Sequence, residues 1–477
     1  MNRAPTFAGS RTLVVCGLVL LLALSFTPSA AAQSQPSIQP LFSFACSSTT
    51  NVCPNGKSPN TLIQSADGNF YGTTPTSGIG NKAAGTVFKI TSGGQLTVLH
   101  TFVADQDGNY PNGASPNGLV EGNDGFLYGS AGGGANGKGV IFKLTRTGTI
   151  QILHSFCSPT DCGDGTDPAN LVLGADGNFY GNDTESGVLF RITPNGSFTV
   201  LHTLVKLVEG PSCLGMTLAS DGNLYGTTRG GETLLTTLFR LTPSGQFTTL
   251  HTFHYAQFPV SAPVQASNGK LYGAMSRFED QAAPGIFASN LSGGNFAQFS
   301  IPFAFGDAVP HMTPASDSNL WSIIFGSDVS EEVIVLSEAG KHLQTFTFDG
   351  ANGAGPDAPL LQGSDGRLFG VTQGGGSVPQ GDVANGVVFV LNAGLAAPKP
   401  TVASFNPSAG KVGSQVMIHG SHFVGTTAVT FGGISAKFKV LKTGNITATV
   451  PAGASTGAIA ITNKGGTTLS NNNFNVQ

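Results

Sequence analysis

Short apolar stretches, each bounded by Gly, Asn, Asp, Ser or Pro, run through the chain from Ile38 to Asn392. They come in sets of four, as in NTLIQS, NFYGTT, GTVFKIT and LTVLHTF, and their Val, Ile, Thr, Phe and Tyr content predicts β-strands. The second member follows an Asp-Gly turn, and a Gly-containing tight turn such as SGGQ or PSGQ leads from the third to the fourth. This set returns, with wear, at Asp67, Asp124, Asp176, Asp221, Asn268, Asp317 and Asp365, a period of about fifty residues. Four short antiparallel strands per repeat predict one propeller blade each, so the fold class is all-β.

The two ends of the array complement each other. The last repeat stops after its third strand, GVVFVLN, while IQPLFSF at Ile38–Phe44 nearly matches the fourth strand IQILHSF at Ile150–Phe156. Joining them would close the ring and remove an open sheet edge. The expectation is a seven-bladed β-propeller over residues 33–392, its last blade completed by strand 38–44. The GTVFKIT, GVIFKLT and GVVFVLN segments, with their DGNFYGTT partners, resemble the GloVer tandem repeats of secreted bacterial proteins. That resemblance implies architecture and export, and no particular activity.

After a linker, 393–400, the pattern changes to short alternating segments over 401–477, as expected of a small immunoglobulin-like β-sandwich. FNPSAGKVGSQVMIHGSHF, VTFGG and ATVPAGASTGAIAI follow in order and resemble the IPT/TIG family. Relatives of that family can contact DNA. This segment has few Lys and no Arg, so a spacer or protein-contact module is the expected role.

Composition narrows the class further. Only 10% of the 477 residues are charged and the net charge is -4, which leaves no basic footprint for nucleic acid. Arg3 and Arg11 precede the apolar run TLVVCGLVLLLALSF, and TPSAAAQ follows, so residues 1–32 read as a Sec-type signal peptide cut before Gln33. The mature chain is therefore expected to be secreted, periplasmic or on the cell surface, monomeric and without a membrane span. In such a compartment disulfides persist. Cys46 with Cys53, and Cys157 with Cys162, are expected to staple two equivalent loops; neither pair combines zinc-ligand spacing with a second pair or nearby histidines, and Cys213 is left as a buried thiol.

Candidate chemistry is sparse. His100, His154, His202 and His251 hold one repeat position in four blades. Sheets pack roughly 10 Å apart, whereas zinc ligands lie about 2 Å from the ion, so these are expected to be packing residues. Lys89, Lys143, Arg191 and Arg240 are expected to reach solvent from the third strands. DQDGNYPNG, from Asp105, opens like a calcium loop but places Tyr110 and Pro116 where an EF-hand needs Gly and Glu. No triad, cofactor or metal motif is present in the sequence. Asp183, Glu185, Glu232, Glu279, Asp280 and Asp328 lie in loops of neighbouring blades and leave a carboxylate pair open. All the long loops fall on the face opposite the Asp-Gly turns, so any ligand site is expected there or at the channel mouth. The expected function is non-enzymatic binding of a glycan or extracellular protein; the alternative is an extracellular propeller hydrolase or lyase acting on polysaccharide.

Overall fold

In the first repeat, Asp67 and Gly68 set the turn. Gly68 takes a left-handed conformation (φ 79°) and the Asn69 N–H donates to Asp67 Oδ1 at 3.0 Å, an Asx turn that aims the chain into the next strand. Phe70 and Tyr71 then point to opposite faces because side chains alternate along a strand. Both are buried: Phe70 packs with Phe369 and Val388 on one side, Tyr71 with Leu127 and Phe142 on the other. One aromatic pair thus ties a sheet to both of its neighbours.

The residue after the tyrosine explains the recurrent glycine. Gly72, Gly129, Gly181, Gly226, Gly273 and Gly370 each sit directly across from a phenylalanine of the next strand. A Cβ on Gly181 would lie 2.5 Å from the Phe190 ring, and one on Gly129 2.6 Å from Phe142. The outer end of the ring takes the space a side chain would need, so none fits there. In the sixth repeat Ser322 replaces the glycine, and its cross-strand partner is Ile334 instead of phenylalanine.

The computed structural model describes residues 36–50, 52–78, 82–157, 161–169, 171–230, 235–253, 257–277, 285–301, 311–324, 331–441 and 445–477. The expected signal peptide lies outside these, as do Glu232, Glu279, Asp280 and Asp328. Among the described residues, no helix occurs and seven antiparallel sheets precede Asn392. The first runs Thr61–Gln64, Phe70–Thr74, Ala83–Ile90, Leu96–Val103 in spatial order. The seventh draws on both ends of the array: Ile38–Ser47 lies antiparallel to Asp382–Leu391, which pairs Leu368–Gly374.

Apolar clusters fill the space between successive sheets, and one more joins the seventh to the first, through Phe44, Phe369 and Val388 against Leu62, Phe70 and Phe88. Each such fully buried phenylalanine contributes roughly 1.5–3 kcal/mol. Polar ties repeat beside the clusters. Ser130, Asn182 and Thr227 donate to the carbonyls of Ala169, Cys213 and Ser261 in the following sheet, at 2.8, 2.9 and 2.6 Å. At the other edge, the N–H groups of Ala66, Ser220, Ser316 and Ser364 donate to Glu121, Gln265, Gln362 and Gln64. The last of these, 2.8 Å long, links the seventh sheet to the first.

The C-terminal strands form a two-layer sandwich. Thr401–Asn406, Gln415–Ser421, Ile446–Thr449 and Lys437–Val440 make one layer; Gly466–Val476, Gly457–Asn463 and Ala428–Phe431 carry the other. Val416, Ile418, Phe431, Ile459, Ile461 and Phe474 fill the space between them. This sandwich sits against the Asp-Gly turn face. Asn445 Nδ2 donates to the Asn123 carbonyl at 3.1 Å, and the linker carbonyl of Ala396 accepts from Ser316 Oγ (2.6 Å) and Gln362 Nε2 (3.1 Å).

Candidate functional site

The face opposite the Asp-Gly turns carries a shallow groove of about 640 Å³ over the second sheet. Three loops build it. In the first, Asp105 Oδ1 accepts from the N–H groups of Asp107 (3.0 Å) and Asn109 (2.9 Å), so the acidic run closes a turn on itself. In the second, Gly133 and Gly134 have φ of 75° and 83°, and the Gly134 N–H donates to the Tyr110 carbonyl at 2.9 Å. The third is held by the Cys157–Cys162 disulfide, with the Cys157 N–H donating to Asp164 Oδ1 at 3.0 Å. Asn109, Tyr110, Asn136 and Lys138 are the side chains presented at the groove. Gly133 and Gly134 of the Gly-rich run thus line the groove, a role not evident from the turn signal alone.

The second expected disulfide, Cys46–Cys53, is also formed. Cys213 is buried and its thiol is pushed up to about 12 by burial, so it stays protonated at neutral pH.

Of the six loop carboxylates, Asp183 and Glu185 lie among the described residues and stand together with Asp167, which the sequence reading passed over. Asp183 is fully buried and accepts N–H bonds from Thr166 (3.1 Å), Ser186 (3.1 Å) and Val188 (3.0 Å), which makes it a loop staple. Glu185 accepts from Thr166 Oγ1 at 3.2 Å. Burial, then the negative charges of Glu185 and Asp183, hold the Asp167 carboxyl above the usual range, opposed by Lys138. The Asp167 N–H donates to the Lys138 carbonyl at 2.9 Å, so this cluster adjoins the groove.

The repeated histidines are spent on packing. His154, His202 and His251 stack on Phe198, Phe247 and Phe296 of the following sheet, with centroids 4.0, 4.3 and 3.5 Å apart. His154 Nε2 also meets Asp164 at 2.9 Å, and His202 Nε2 meets Glu209 at 2.8 Å. Burial holds His100 and His154 below the ordinary imidazole value. Among the described residues, no group of three or more His, Cys, Asp or Glu is placed to hold a metal ion.

On the Asp-Gly turn face, Tyr71, Tyr128, Tyr180 and Tyr225 donate to Asp67, Asp124, Asp176 and Asp221 at 2.7–2.8 Å. Lys89 and Lys143, expected to run to solvent, turn back to Asp67 (3.8 Å) and Asp124 (2.8 Å). The reason is register: each lies cross-strand from the tyrosine whose hydroxyl that aspartate holds. Arg146 extends the pattern between sheets, reaching Asp67 Oδ2 and the Tyr71 hydroxyl at 3.2 Å each, and Glu121. The sequence signal was an arginine in a turn where other repeats have Ser, Pro or Glu.

These features define the class: a β-propeller whose loop face carries a groove, followed by an immunoglobulin-like sandwich. The Gloeobacter/Verrucomicrobia repeat matches residues 58–287 and the IPT/TIG domain matches residues 400–476, so the chain carries that repeat over this stretch and an IPT/TIG domain at its C-terminal end. A comparison with curated proteins finds no match. Among solved structures, a catalytically inactive virginiamycin B lyase from Staphylococcus aureus, with Quinupristin, is similar at a TM-score of 0.50 and 16% identity, over 75% of this chain and 99% of that one. An oligogalacturonate lyase in complex with manganese gives 0.49 and 10%, over 75% and 98%. The first likeness shows the fold alone.

Proposed function

We propose that this is an extracellular, non-enzymatic recognition protein that binds glycan in the loop-face groove. The carrying observation is the groove itself: Tyr110 with the amides of Asn109 and Asn136 and the ammonium of Lys138, on loops fixed by a disulfide and by backbone bonds. An aromatic face accepts the C–H side of a sugar ring while amides meet its hydroxyls, and a stiff frame lowers the ordering cost of binding. Two disulfides support an oxidising compartment. Among the described residues, no helix is long and apolar enough to cross a membrane. The histidines and Asp183 are committed to packing and loop closure, which supports binding over catalysis.

The test is a glycan array followed by calorimetry. Saturable binding that falls at least tenfold in Tyr110→Ala, with the melting temperature unchanged, is the expected result. Binding indifferent to Tyr110→Ala and Asn136→Ala overturns this reading.

A second reading rests on one observation, the raised carboxyl of Asp167 beside Glu185, the arrangement an acid–base pair requires. Under it the protein is a polysaccharide hydrolase or lyase. New reducing ends or unsaturated products, lost in Asp167→Asn, would establish it; intact polymer after prolonged incubation removes it.

A further inference from the structure

The C-terminal sandwich does not lie flush on the Asp-Gly turn face. A cavity of about 540 Å³ remains between them, within the ~300–1,000 Å³ range of small-molecule sites. Asn123, Leu173 and Leu218 belong to its propeller wall, and His419, Leu469 and Asn471 to its sandwich wall. Leu173 and Leu218 come from the first strands of the third and fourth sheets, where those strands reach their Asp-Gly turns.

Three features of this lining constrain an occupant. Among the described residues, no Lys, Arg, Asp or Glu contributes to it. Leu469 is left 61% exposed on a strand whose neighbours pack, so an apolar side chain faces the space uncovered. Polar capacity is also uncommitted. The Asn445 amide group takes up the Asn123 carbonyl and His419 Nδ1. Among the described residues, that leaves the Asn123 and Asn471 side-chain amides and His419 Nε2 without a hydrogen-bond partner.

A charged ligand would lose its hydration in this space with no opposite charge to meet it. A wholly apolar one would cover the amides and imidazole and leave them unsatisfied. A short sugar chain matches both demands, with ring C–H faces for the leucines and hydroxyls for the amides. We propose that the cavity between propeller and sandwich binds a short neutral oligosaccharide, as a site separate from the loop-face groove. Because both modules supply walls, the bound ligand clamps the sandwich to the propeller and stabilises the whole by mass action.

The experiment is calorimetry and thermal shift on the full mature chain, with neutral gluco-, xylo- and manno-oligosaccharides and matched uronic acid oligomers as probes. Expected is saturable binding of a neutral probe, at least tenfold tighter than its uronic counterpart. Measured in Tyr110→Ala, so that the loop-face groove does not contribute, this binding should persist, and it should weaken at least tenfold when Asn471→Trp, which fills the cavity from an exposed position, is added. Should Asn471→Trp melt early, Asn471→Ala replaces it, with at least a threefold loss expected. The proposal is overturned if no neutral probe binds at millimolar concentration, if uronic probes bind equally well, or if the Asn471 variants bind as the parent does. Binding lost in Tyr110→Ala but kept in Asn471→Trp also overturns it, while supporting the groove; the reverse result leaves the groove reading to fall alone.

Discussion

At the scale of single residues, the closest fit in the propeller is the glycine that faces a phenylalanine. In the third sheet Gly181 lies under Phe190 with no room for a Cβ. Gly181→Ala is therefore expected to destabilise by about 1–3 kcal/mol, the usual cost of overpacking a filled core. The sixth sheet, where Ser322 faces Ile334, shows the compensating choice. Adding Phe190→Ile to Gly181→Ala should cost less than the sum of the single changes by at least about 0.5 kcal/mol in urea titration; strict additivity would refute the steric account. The aspartates make a second, pH-dependent claim. Burial alone would raise the Asp124 carboxyl, but bonds from Lys143, Tyr128 and the Phe126 N–H outweigh it and hold it below its ordinary value of 3.8. A depressed folded pKa means the folded state binds fewer protons. Its contribution is thus complete above the ordinary carboxylate range and disappears as pH falls through the folded value. Asp124→Asn should be destabilised relative to the parent at pH 7, and the two should converge as pH falls through the folded value, which lies below 3.8. The turn, the aromatic pair and the glycine were legible because they are local. The Asp–Tyr bond was legible in principle from its fixed four-residue spacing, whereas the return of Lys143 depends on cross-strand register.

At the scale of strands and loops, four pairs of neighbouring sheets are coupled through the residue that ends a first strand. Gln64, Glu121, Gln265 and Gln362 accept an N–H from the preceding sheet's turn, and the three glutamines also donate to the carbonyl of their own turn glycine. Gln64→Leu leaves the Ser364 N–H without its acceptor and should cost about 1 kcal/mol. Hydrogen exchange should show the loss at Ser364 before the rest of that sheet. This tie is invisible along the chain, because its partner lies 300 residues away. The disulfides were legible because each joins cysteines in one loop. Cys157–Cys162 closes a loop far shorter than the ~15 residues for which a crosslink is worth about 3 kcal/mol. Reduction should consequently shift the melting temperature little while loosening the groove. A large loss of global stability on reduction would contradict this.

The whole molecule rests on two contacts of different kinds. The sandwich has its own core, built from Val416, Phe431, Ile459 and their neighbours, and meets the propeller through amides, carbonyls and linker backbone. Neutral turn residues carry that contact, so nothing in the sequence pattern announced which face it would cover. Closure of the array is different in substance. Ile38–Ser47 supplies the outer strand of the seventh sheet, and Phe44, fully buried, stands edge-on to Phe88 of the first sheet at 5.4 Å. Phe44→Ala should cost about 3–5 kcal/mol, the range for an aromatic removed from a packed core. Deleting residues 36–47 should do more, because it also bares the edge of Asp382–Leu391 to pairing with other chains. Deleting residues 401–477 removes a separate core and should leave the propeller's melting transition nearly in place. Measured side by side, these truncations separate a closed ring from an open stack: in an open stack the short N-terminal deletion would be the milder of the two, and in a closed ring it is the one that aggregates.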